Sequence, residues 1–595
     1  MIRRAIAYVA AATLAWAVLV FLTGGATIAI AALRVSSTDP IRPMLASVLL
    51  AAVYALASGR QRLREDAAFA ANAATPARLT IVLAAVALVI AIAQSSYTAS
   101  GADAYAYVTQ ADLMLSGRLT VPVPIANEVP WPRPLSTFVP FGYAAVANDS
   151  AIASAVGPGL PLLMAVFKAI AGHAALFLVV PITAALLIWC TFAIGRHLWS
   201  PDVGLGAAWL TATSPVVLTM LKEPMSDVPA AAFWALATWK AFDASRVSTA
   251  LAGAAAAVAI LIRPNLVPLA AVLGIWMLVR PGHVTVADRV RALAIFAAAV
   301  VPACLLIAWI NQTLFGSPLT SGYGVTEQLF ASANAWPNLR RFGGWLVDTQ
   351  TLLFPLGFLA LLGRARLLAA ITIVTAALYA FYIPFNAWWF LRLLLPAWPA
   401  LALGTVSLIQ AVSRLAGSRA RLIQAVAVAG LGLFTAYTAG RLRVFPDNEG
   451  ERRYATIADL VRQATEPSSL ILASIHTGPI RYYAGRDTMR FDLLNEEWLD
   501  RAVAWLAEHG RHPYFLIEDW ERPIFEKRFA ALNSLGRLAM SPVLAYRAYG
   551  IPGTVYLFDP AKPSAITFEP APIRDPRPRC LLPSTPPLLA LKTRF

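Results

Sequence analysis

Residues 174–195 read AALFLVVPITAALLIWCTFAIG, 22 positions without a charge, and Arg196 follows at once. A helix needs about 20 apolar residues to cross the roughly 30 Å hydrocarbon core of a bilayer, so this stretch predicts a transmembrane helix. The whole chain of 595 residues is 58% hydrophobic and only 13% charged. Globular chains carry about 25% charged residues. The composition therefore excludes a soluble multidomain enzyme and a disordered scaffold, and it predicts an α-helical polytopic membrane protein.

Further apolar runs flank this stretch on both sides, and together they predict about 13 transmembrane helices. The runs lie near residues 5–33, 44–58, 79–95, 174–195, 203–220, 228–242, 248–262, 266–279, 292–310, 351–363, 367–383, 393–412 and 422–438. The net charge of +16 comes from small arginine groups between these runs. That spacing is typical of cytoplasmic loops under the positive-inside rule and argues against a nucleic-acid interface.

The acidic residues divide the chain near residue 440, with 14 before that point and 18 after it. We interpret residues 1–78 as two extra N-terminal helices and residues 79–440 as the membrane catalytic part, with outer loops at 96–173 and 222–227. Residues 441–558 predict a small α/β domain outside the cytoplasm, because strand-like runs at 469–474 and 513–517 alternate with amphipathic patterns at 454–464 and 496–508. Residues 559–595 form a proline-rich tail. Residues 157–172 are short for a span, and we expect an interfacial helix there.

The acids of the two outer loops are candidate catalytic groups. Asp103 follows a predicted membrane helix, and Glu223 and Asp227 lie in the short loop between two others. A carboxylate at a membrane boundary is only partly solvated, which raises its pKa toward a value that suits a general base. The alternative for Asp227 is a structural one, since it precedes an apolar run and could cap a helix.

Cationic residues at the same level are candidate phosphate ligands. Arg263 and Arg392 lie where predicted helices meet the outer surface, and a guanidinium binds phosphate through two parallel hydrogen bonds. His476 and Arg481 belong to a strand-to-helix junction in the predicted outer domain, a type of site that can bind anions. The alternatives are arginines that reach for lipid phosphates and a structural histidine.

This order of features resembles the GT-C superfamily of glycosyltransferases, in particular its protein-mannosyltransferase and aminoarabinose-transferase-like branch. The resemblance covers residues 79–490. The features that carry it are Asp103, the proline-containing segment 157–172, Arg196, the acids 223–227 after Thr213-Ser214-Pro215, Arg263-Pro264 and the segment 476–486. Protein mannosyltransferases have an Asp-Glu pair in the first loop, whereas here Ala104 follows Asp103.

The resemblance implies a glycosyltransferase that moves a hexose or pentose from a polyprenyl-phosphate carrier to a hydroxyl of a glycan, lipid or protein. The expected location is the outer face of the cell (inner) membrane. Asp103 would be the base, with Asp227 and Glu223 as further catalytic acids, and the transfer would invert the anomeric carbon. Arg392, Arg263, His476 and Arg481 would bind the donor phosphate. No metal ligands are assigned, and a divalent cation such as Mg or Mn stays open.

The main alternative is a polytopic transporter or lipid flippase without transferase activity, which would carry ionisable groups in the middle of its helices. A second alternative is a membrane anchor whose outer domain binds a partner. Convergence of Asp103 and Asp227 distinguishes the transferase from both.

Overall fold

The computed structural model describes residues 2–562 except 24–25, 31–32, 38, 60, 63–64, 67–73, 282–284, 446–447 and 549–552. The proline-rich tail predicted for 559–595 lies outside the described residues from 563 onward. Helices dominate the fold. They are α1 Ile2–Thr23, α2 Ile41–Ala57, α3 Pro76–Gln94, α4 Asp103–Leu115, α5 Pro134–Thr137, α6 Gly159–Ala171, α7 Val179–Leu198, α8 Pro201–Ala212, α9 Pro215–Met220, α10 Asp227–Ala241, α11 Arg246–Ile262, α12 Val267–Val279, α13 Val286–Phe315, α14 Thr326–Leu329, α15 Ala335–Gln350, α16 Leu353–Arg364, α17 Arg366–Ala380, α18 Trp398–Ser413, α19 Ala420–Arg441, α20 Asn448–Ala464, α21 Thr477–Pro479, α22 Leu499–Glu508 and α23 Arg522–Phe529.

Several of these helices are apolar enough to lie in a membrane. Within the described residues, four helical stretches have both the length and the hydropathy of a span, and a bent pair formed by α15 and α16 makes a fifth. The count of about 13 spans stays a prediction, because many of the remaining apolar helices have only 10–17 residues. Each predicted run except the one at 5–33 nevertheless coincides with a helix or a pair of helices.

The helix in the run at 5–33 is shorter than the sequence predicts. The prediction of one continuous helix over these residues is wrong. Helix α1 ends at Thr23, and strands β1 (Ala26–Ile30) and β2 (Leu33–Ser37) pair in antiparallel fashion after it. The sequence explains this, because Gly24 and Gly25 are poor helix formers and β-branched residues follow them.

The segment between α3 and α7 is folded as a small layer over the helix ends. It contains α4, α6 and a three-stranded antiparallel sheet of β3 (Thr120–Pro122), β4 (Tyr143–Ala145) and β5 (Ala151–Ser154) in the order β3-β5-β4. Helix α6 has 13 residues. At 1.5 Å per residue it is about 20 Å long, too short to cross a bilayer.

The C-terminal part contains helices and one sheet. Five strands form one sheet, and the strands expected at 469–474 and 513–517 are present in it. The strands are β6 Leu470–Ala473, β7 Asp487–Arg490, β8 Pro513–Glu518, β9 Pro542–Tyr546 and β10 Val555–Phe558, in the order β7-β6-β8-β10-β9. The pairs β6–β7 and β6–β8 are parallel, and β10 pairs antiparallel with β8 and β9. All six residues of β8 are buried, as expected for a strand covered on both faces.

Candidate active site

Asp103 is the first residue of α4, where a carboxylate interacts favourably with the unpaired backbone N–H groups of a helix N-terminus. The backbone turns into the helix at Gly101, whose φ of +51° is costly for any residue with a Cβ. The Asp103 side chain is 30% exposed. Asp103 is therefore held by its helix and still open to a reactant.

Asp227 occupies the same position on α10 but is closed off from solvent. It is the first residue of that helix and follows the N-cap residue Ser226, so the capping alternative is wrong, and its side chain is 0% exposed. Oδ1 lies 2.9 Å from Nη1 of Arg263, which follows the last residue of α11. Pro264 ends α11 there because proline restricts the residue before it to non-helical angles. A buried carboxylate paired in this way is suited to fixing cations in place.

Arg392 lies between the two carboxylates. It belongs to the 3-10 helix Trp388–Ala397, which runs directly into α18. Its Nη2 lies 3.7 Å from Oδ2 of Asp103, and its Nε lies 4.0 Å from Oδ1 of Asp227. The guanidinium carbon is 5.0 Å from the ring centre of Phe390. Asp103 and Asp227 therefore converge, as the sequence predicts, and the Arg392 guanidinium lies near both carboxylates.

Two tyrosines that the sequence analysis missed complete this cluster of Asp103, Asp227, Arg263 and Arg392. The Tyr323 hydroxyl donates to Oδ1 of Asp103 at 3.4 Å, from the loop after α13. Tyr107 lies one helical turn after Asp103 and hydrogen-bonds Ser226, and burial raises its pKa well above the usual range for tyrosine. The spacing of four residues between Asp103 and Tyr107 was a signal for a shared helix face. Tyr323 had no such signal.

Glu223 is not part of this cluster. Its Oε2 accepts a hydrogen bond from the Ser96 hydroxyl at 3.0 Å, and its Oε1 lies 3.9 Å from Nζ of Lys222. Burial, then the neighbouring Glu451, raises the pKa of Glu223 to about 8. In the described part of the chain, no basic side chain forms ion pairs with both Glu223 and Asp103.

His476 and Arg481 also lie apart from the cluster, with their polar groups engaged inside the protein. His476 is fully buried, and its Nε2 lies 2.6 Å from Oε1 of Glu518. Burial lowers the pKa of His476, and Glu518 offsets part of that shift. Arg481 donates to the Phe138 carbonyl at 2.7 Å and to the Thr488 hydroxyl at 2.7 Å. These contacts fit structural roles, and donor-phosphate binding by either residue stays a prediction.

The described residues contain no group of three or more histidine, cysteine, aspartate or glutamate side chains arranged to hold a metal ion. Asp103 and Asp227 face guanidinium groups instead of a third carboxylate. These side chains therefore provide no set of ligands for a Mg or Mn ion, and the binding of a divalent cation stays a prediction.

Comparisons with known proteins agree with this architecture. Residues 155–309, about a quarter of the chain, match the family model described as dolichyl-phosphate-mannose-protein mannosyltransferase. The fold is similar to that of ArnT from Cupriavidus metallidurans in the apo state, at 15% identity and a TM-score of 0.50, over 80% of this chain and 97% of that one. The chain resembles the GT-C glycosyltransferases in its fold. The predicted resemblance to the GT-C superfamily is thus confirmed, and the chain is a membrane protein.

Two more solved structures are similar to this chain, with lower TM-scores. ArnT of Cupriavidus metallidurans bound to undecaprenyl phosphate has a TM-score of 0.48 at 15% identity, over 80% of this chain and 97% of that one. The Archaeoglobus fulgidus oligosaccharyltransferase in the apo form has a TM-score of 0.46 at 12% identity, over 78% and 73%. No curated protein sequence matches the chain.

Proposed function

We propose that this chain is an integral membrane glycosyltransferase that moves a sugar from a polyprenyl-phosphate carrier to an acceptor hydroxyl at the outer face of the membrane, with inversion. The observation that carries the proposal is the meeting of Asp103 and Arg392 at 3.7 Å, beside the buried Asp227–Arg263 pair. An open carboxylate and a fixed guanidinium side by side supply the two groups that transfer from a phosphate requires, a base and a cation for the leaving group.

The reaction follows from the exposure of the two carboxylates. Asp103 takes the proton of the acceptor hydroxyl, whose oxygen forms a bond to the anomeric carbon. The bond from that carbon to the phosphate oxygen breaks on the opposite face, and its electron pair stays on the polyprenyl phosphate. Arg392 stabilises the charge that develops there. Asp227 holds Arg263 and Arg392, while solvent later removes the proton from Asp103.

An apolar groove near the cluster supports a lipid-linked donor. The groove has a volume of about 430 Å³ and is lined by Phe330 and by residues of α17 and its end, namely Ile373, Val374, Ala377, Leu378 and Phe381. The ring of Phe330 lies 5.2 Å from that of Tyr382. The Tyr382 ring lies 6.0 Å from that of Tyr379, whose hydroxyl accepts a hydrogen bond from Asn265, two residues after Arg263. A polyprenyl chain in this groove would bring its phosphate toward Arg263 and Arg392.

The transporter alternative expects charges in the middle of helices. Asp103 and Asp227 begin helices, Arg263 follows the end of one, and Arg392 precedes α18. These positions at helix ends favour a reaction at the membrane surface over passage through the bundle.

The test is transfer by the purified protein in proteoliposomes, using radiolabelled polyprenyl-phosphate hexoses and pentoses with a membrane extract as acceptor. We expect label in the acceptor fraction, an inverted anomeric configuration and release of polyprenyl phosphate. Transfer from nucleotide sugars instead, or from none of the carriers, would contradict the proposal. Deleting the gene and comparing the masses of surface glycans and glycolipids would then identify the sugar.

A further inference from the structure

Residues 95–102 connect α3 to α4 and end directly before Asp103. This connection is buried although it has no regular secondary structure, and Ser95, Ser96, Ala99 and Ser100 are each at most 3% exposed. The Tyr105 N–H at the start of α4 donates to the Ser100 carbonyl at 3.1 Å. The position of this connection therefore determines where Asp103 lies.

On one side, the loop before α10 holds the connection. The Ser96 N–H donates to the Lys222 carbonyl at 3.4 Å, and the Ser96 hydroxyl donates to Glu223 at 3.0 Å. Glu223 thus binds a residue of the connection and not a residue of the catalytic cluster.

On the other side, the C-terminal domain holds it. Glu451 in the first turn of α20 accepts the Ser100 hydroxyl, and Arg452 donates to the Ser95 carbonyl at 3.2 Å. The Ala99 N–H donates to the Tyr483 hydroxyl at 2.7 Å. Helix α20 is itself tied to the sheet, because Arg453 lies 3.2 Å from Glu518 at the end of β8.

Two carboxyl groups from different parts of the chain therefore bind the same buried connection. The charged groups around Glu223 are Glu451, Lys222 and Arg452. Burial disfavours the charged form of Glu223, and Glu451 adds repulsion that Lys222, Ser96 and Arg452 only partly offset, so its pKa is raised to about 8. Near neutral pH, Glu223 is therefore uncharged when the domain is docked.

We propose that Glu451 and Glu223 are positioning residues that clamp residues 95–102 between the C-terminal domain and the helix bundle, and so set Asp103 in place. The inference rests on the proposed function, because it assigns to the domain the task of holding the base. Ionisation of Glu223 places two like charges at the connection and loosens the clamp.

The direction of the pH dependence follows from proton linkage. A free glutamate has a pKa of about 4.3, so the docked state binds the Glu223 proton more tightly than the undocked state does. The free energy that holds the connection therefore decreases as pH rises between about 4.5 and about 8 and is constant above that.

Hydrogen exchange followed by mass spectrometry tests this in the full-length protein in nanodiscs, at pH 6 and pH 9, corrected for the intrinsic exchange rate. In the wild type, protection of the Ser96, Ala99 and Tyr105 amides should decrease on the order of a hundredfold from pH 6 to pH 9, because the linkage extends over about two pH units from pH 6 to the pKa of about 8. Glu223→Gln should stay protected at both pH values, since it keeps an acceptor for Ser96. Glu451→Ala should be weakly protected at both. Asp459→Asn, on the exposed side of α20, is the matched control and should behave as the wild type.

A wild type with pH-independent protection, or full protection in Glu451→Ala, would overturn the clamp. This readout needs no substrate, so a clamp found in a protein that transfers nothing would leave the inference about residues 95–102 standing and reject the proposed function. With an active donor, the wild-type kcat should decrease from pH 7 to pH 9 with KM unchanged, and Glu223→Gln should remove that decrease. A kcat of Glu223→Gln that decreases as in the wild type would contradict the positioning role.

Discussion

Two pairs of acids lie at or next to one short connection, residues 95–102, and their surroundings give them different roles. Asp103 and Asp227 share a guanidinium, and one of them remains open to solvent. Glu223 and Glu451 each accept a serine hydroxyl from the connection. Arginine side chains lie beside the first pair, while burial and repulsion favour a neutral Glu223 in the second. The counterion and the exposure, more than the residue type, separate a reactive acid from a positioning one.

The largest expected effect comes from the buried member of the first pair. Asp227→Asn removes the charge that compensates Arg263 and Arg392, which should cost about 3–5 kcal/mol of stability. The measurement is the apparent Tm in detergent, with the exposed Asp202→Asn as control. Adding Arg263→Gln to Asp227→Asn should recover part of the loss, because the uncompensated cation is gone. An unchanged Tm for Asp227→Asn would mean that the pair does not stabilise the bundle.

Arg392→Ala should mainly affect the reaction. Loss of a cation at the leaving group should reduce kcat by about 10²–10³-fold. The fold should survive, since Asp227 keeps Arg263 at 2.9 Å. Arg392→Lys is the matched variant, and single-turnover transfer should give it an intermediate rate because it retains the charge and loses the planar geometry. Equal rates for Arg392→Ala and the wild type would remove Arg392 from the site.

The position of Arg263 depends on Gly159, the first residue of α6, which packs against the end of α11. A Cβ on Gly159 at the start of α6 would lie 2.5 Å from the backbone nitrogen of Ile262, the residue before Arg263. Gly159→Ala should therefore cost about 1–3 kcal/mol and reduce transfer as well. Gly430→Ala is the control, because no atom lies within 4 Å of its Cβ. Similar Tm values for the two variants would contradict this packing.

The smallest expected effect belongs to Tyr323. Its hydroxyl makes one hydrogen bond of 3.4 Å to Asp103, so Tyr323→Phe should lower kcat/KM by only about fivefold, equivalent to about 1 kcal/mol. Tyr437→Phe, on the exposed face of α19, serves as the control. A loss of two orders of magnitude would give Tyr323 a direct part in the reaction.

The sequence predicted the helices and the charged cluster because both depend on local signals. Apolar runs mark helices, and charged residues at their ends mark the surface, which was sufficient to select Asp103, Asp227, Arg263 and Arg392. The extension of the first run to residue 33 was wrong because hydrophobicity alone does not distinguish a helix from a buried strand.

Contacts between distant parts of the chain were not predictable in this way. Glu223 and Glu451 meet the same connection from different domains, and Tyr323 reaches Asp103 from a loop more than 200 residues away. Arg481, in the segment 476–486 that was selected as an anion site, donates to the Phe138 carbonyl and helps to join the C-terminal domain to the first loop, a contact that the sequence did not predict. Such pairings depend on how the domains pack against each other. A single sequence contains no periodic pattern that predicts this packing.

The most direct test is single-turnover transfer from a polyprenyl-phosphate sugar by Asp103→Asn in proteoliposomes, next to Asp149→Asn in the same loop. Asp149 is exposed, and asparagine tolerates its φ of +51°. The account predicts that Asp103→Asn loses about 10²–10⁴-fold in rate at an unchanged protein level and Tm, while Asp149→Asn transfers as the wild type does. Full transfer by Asp103→Asn would contradict the assignment of the base.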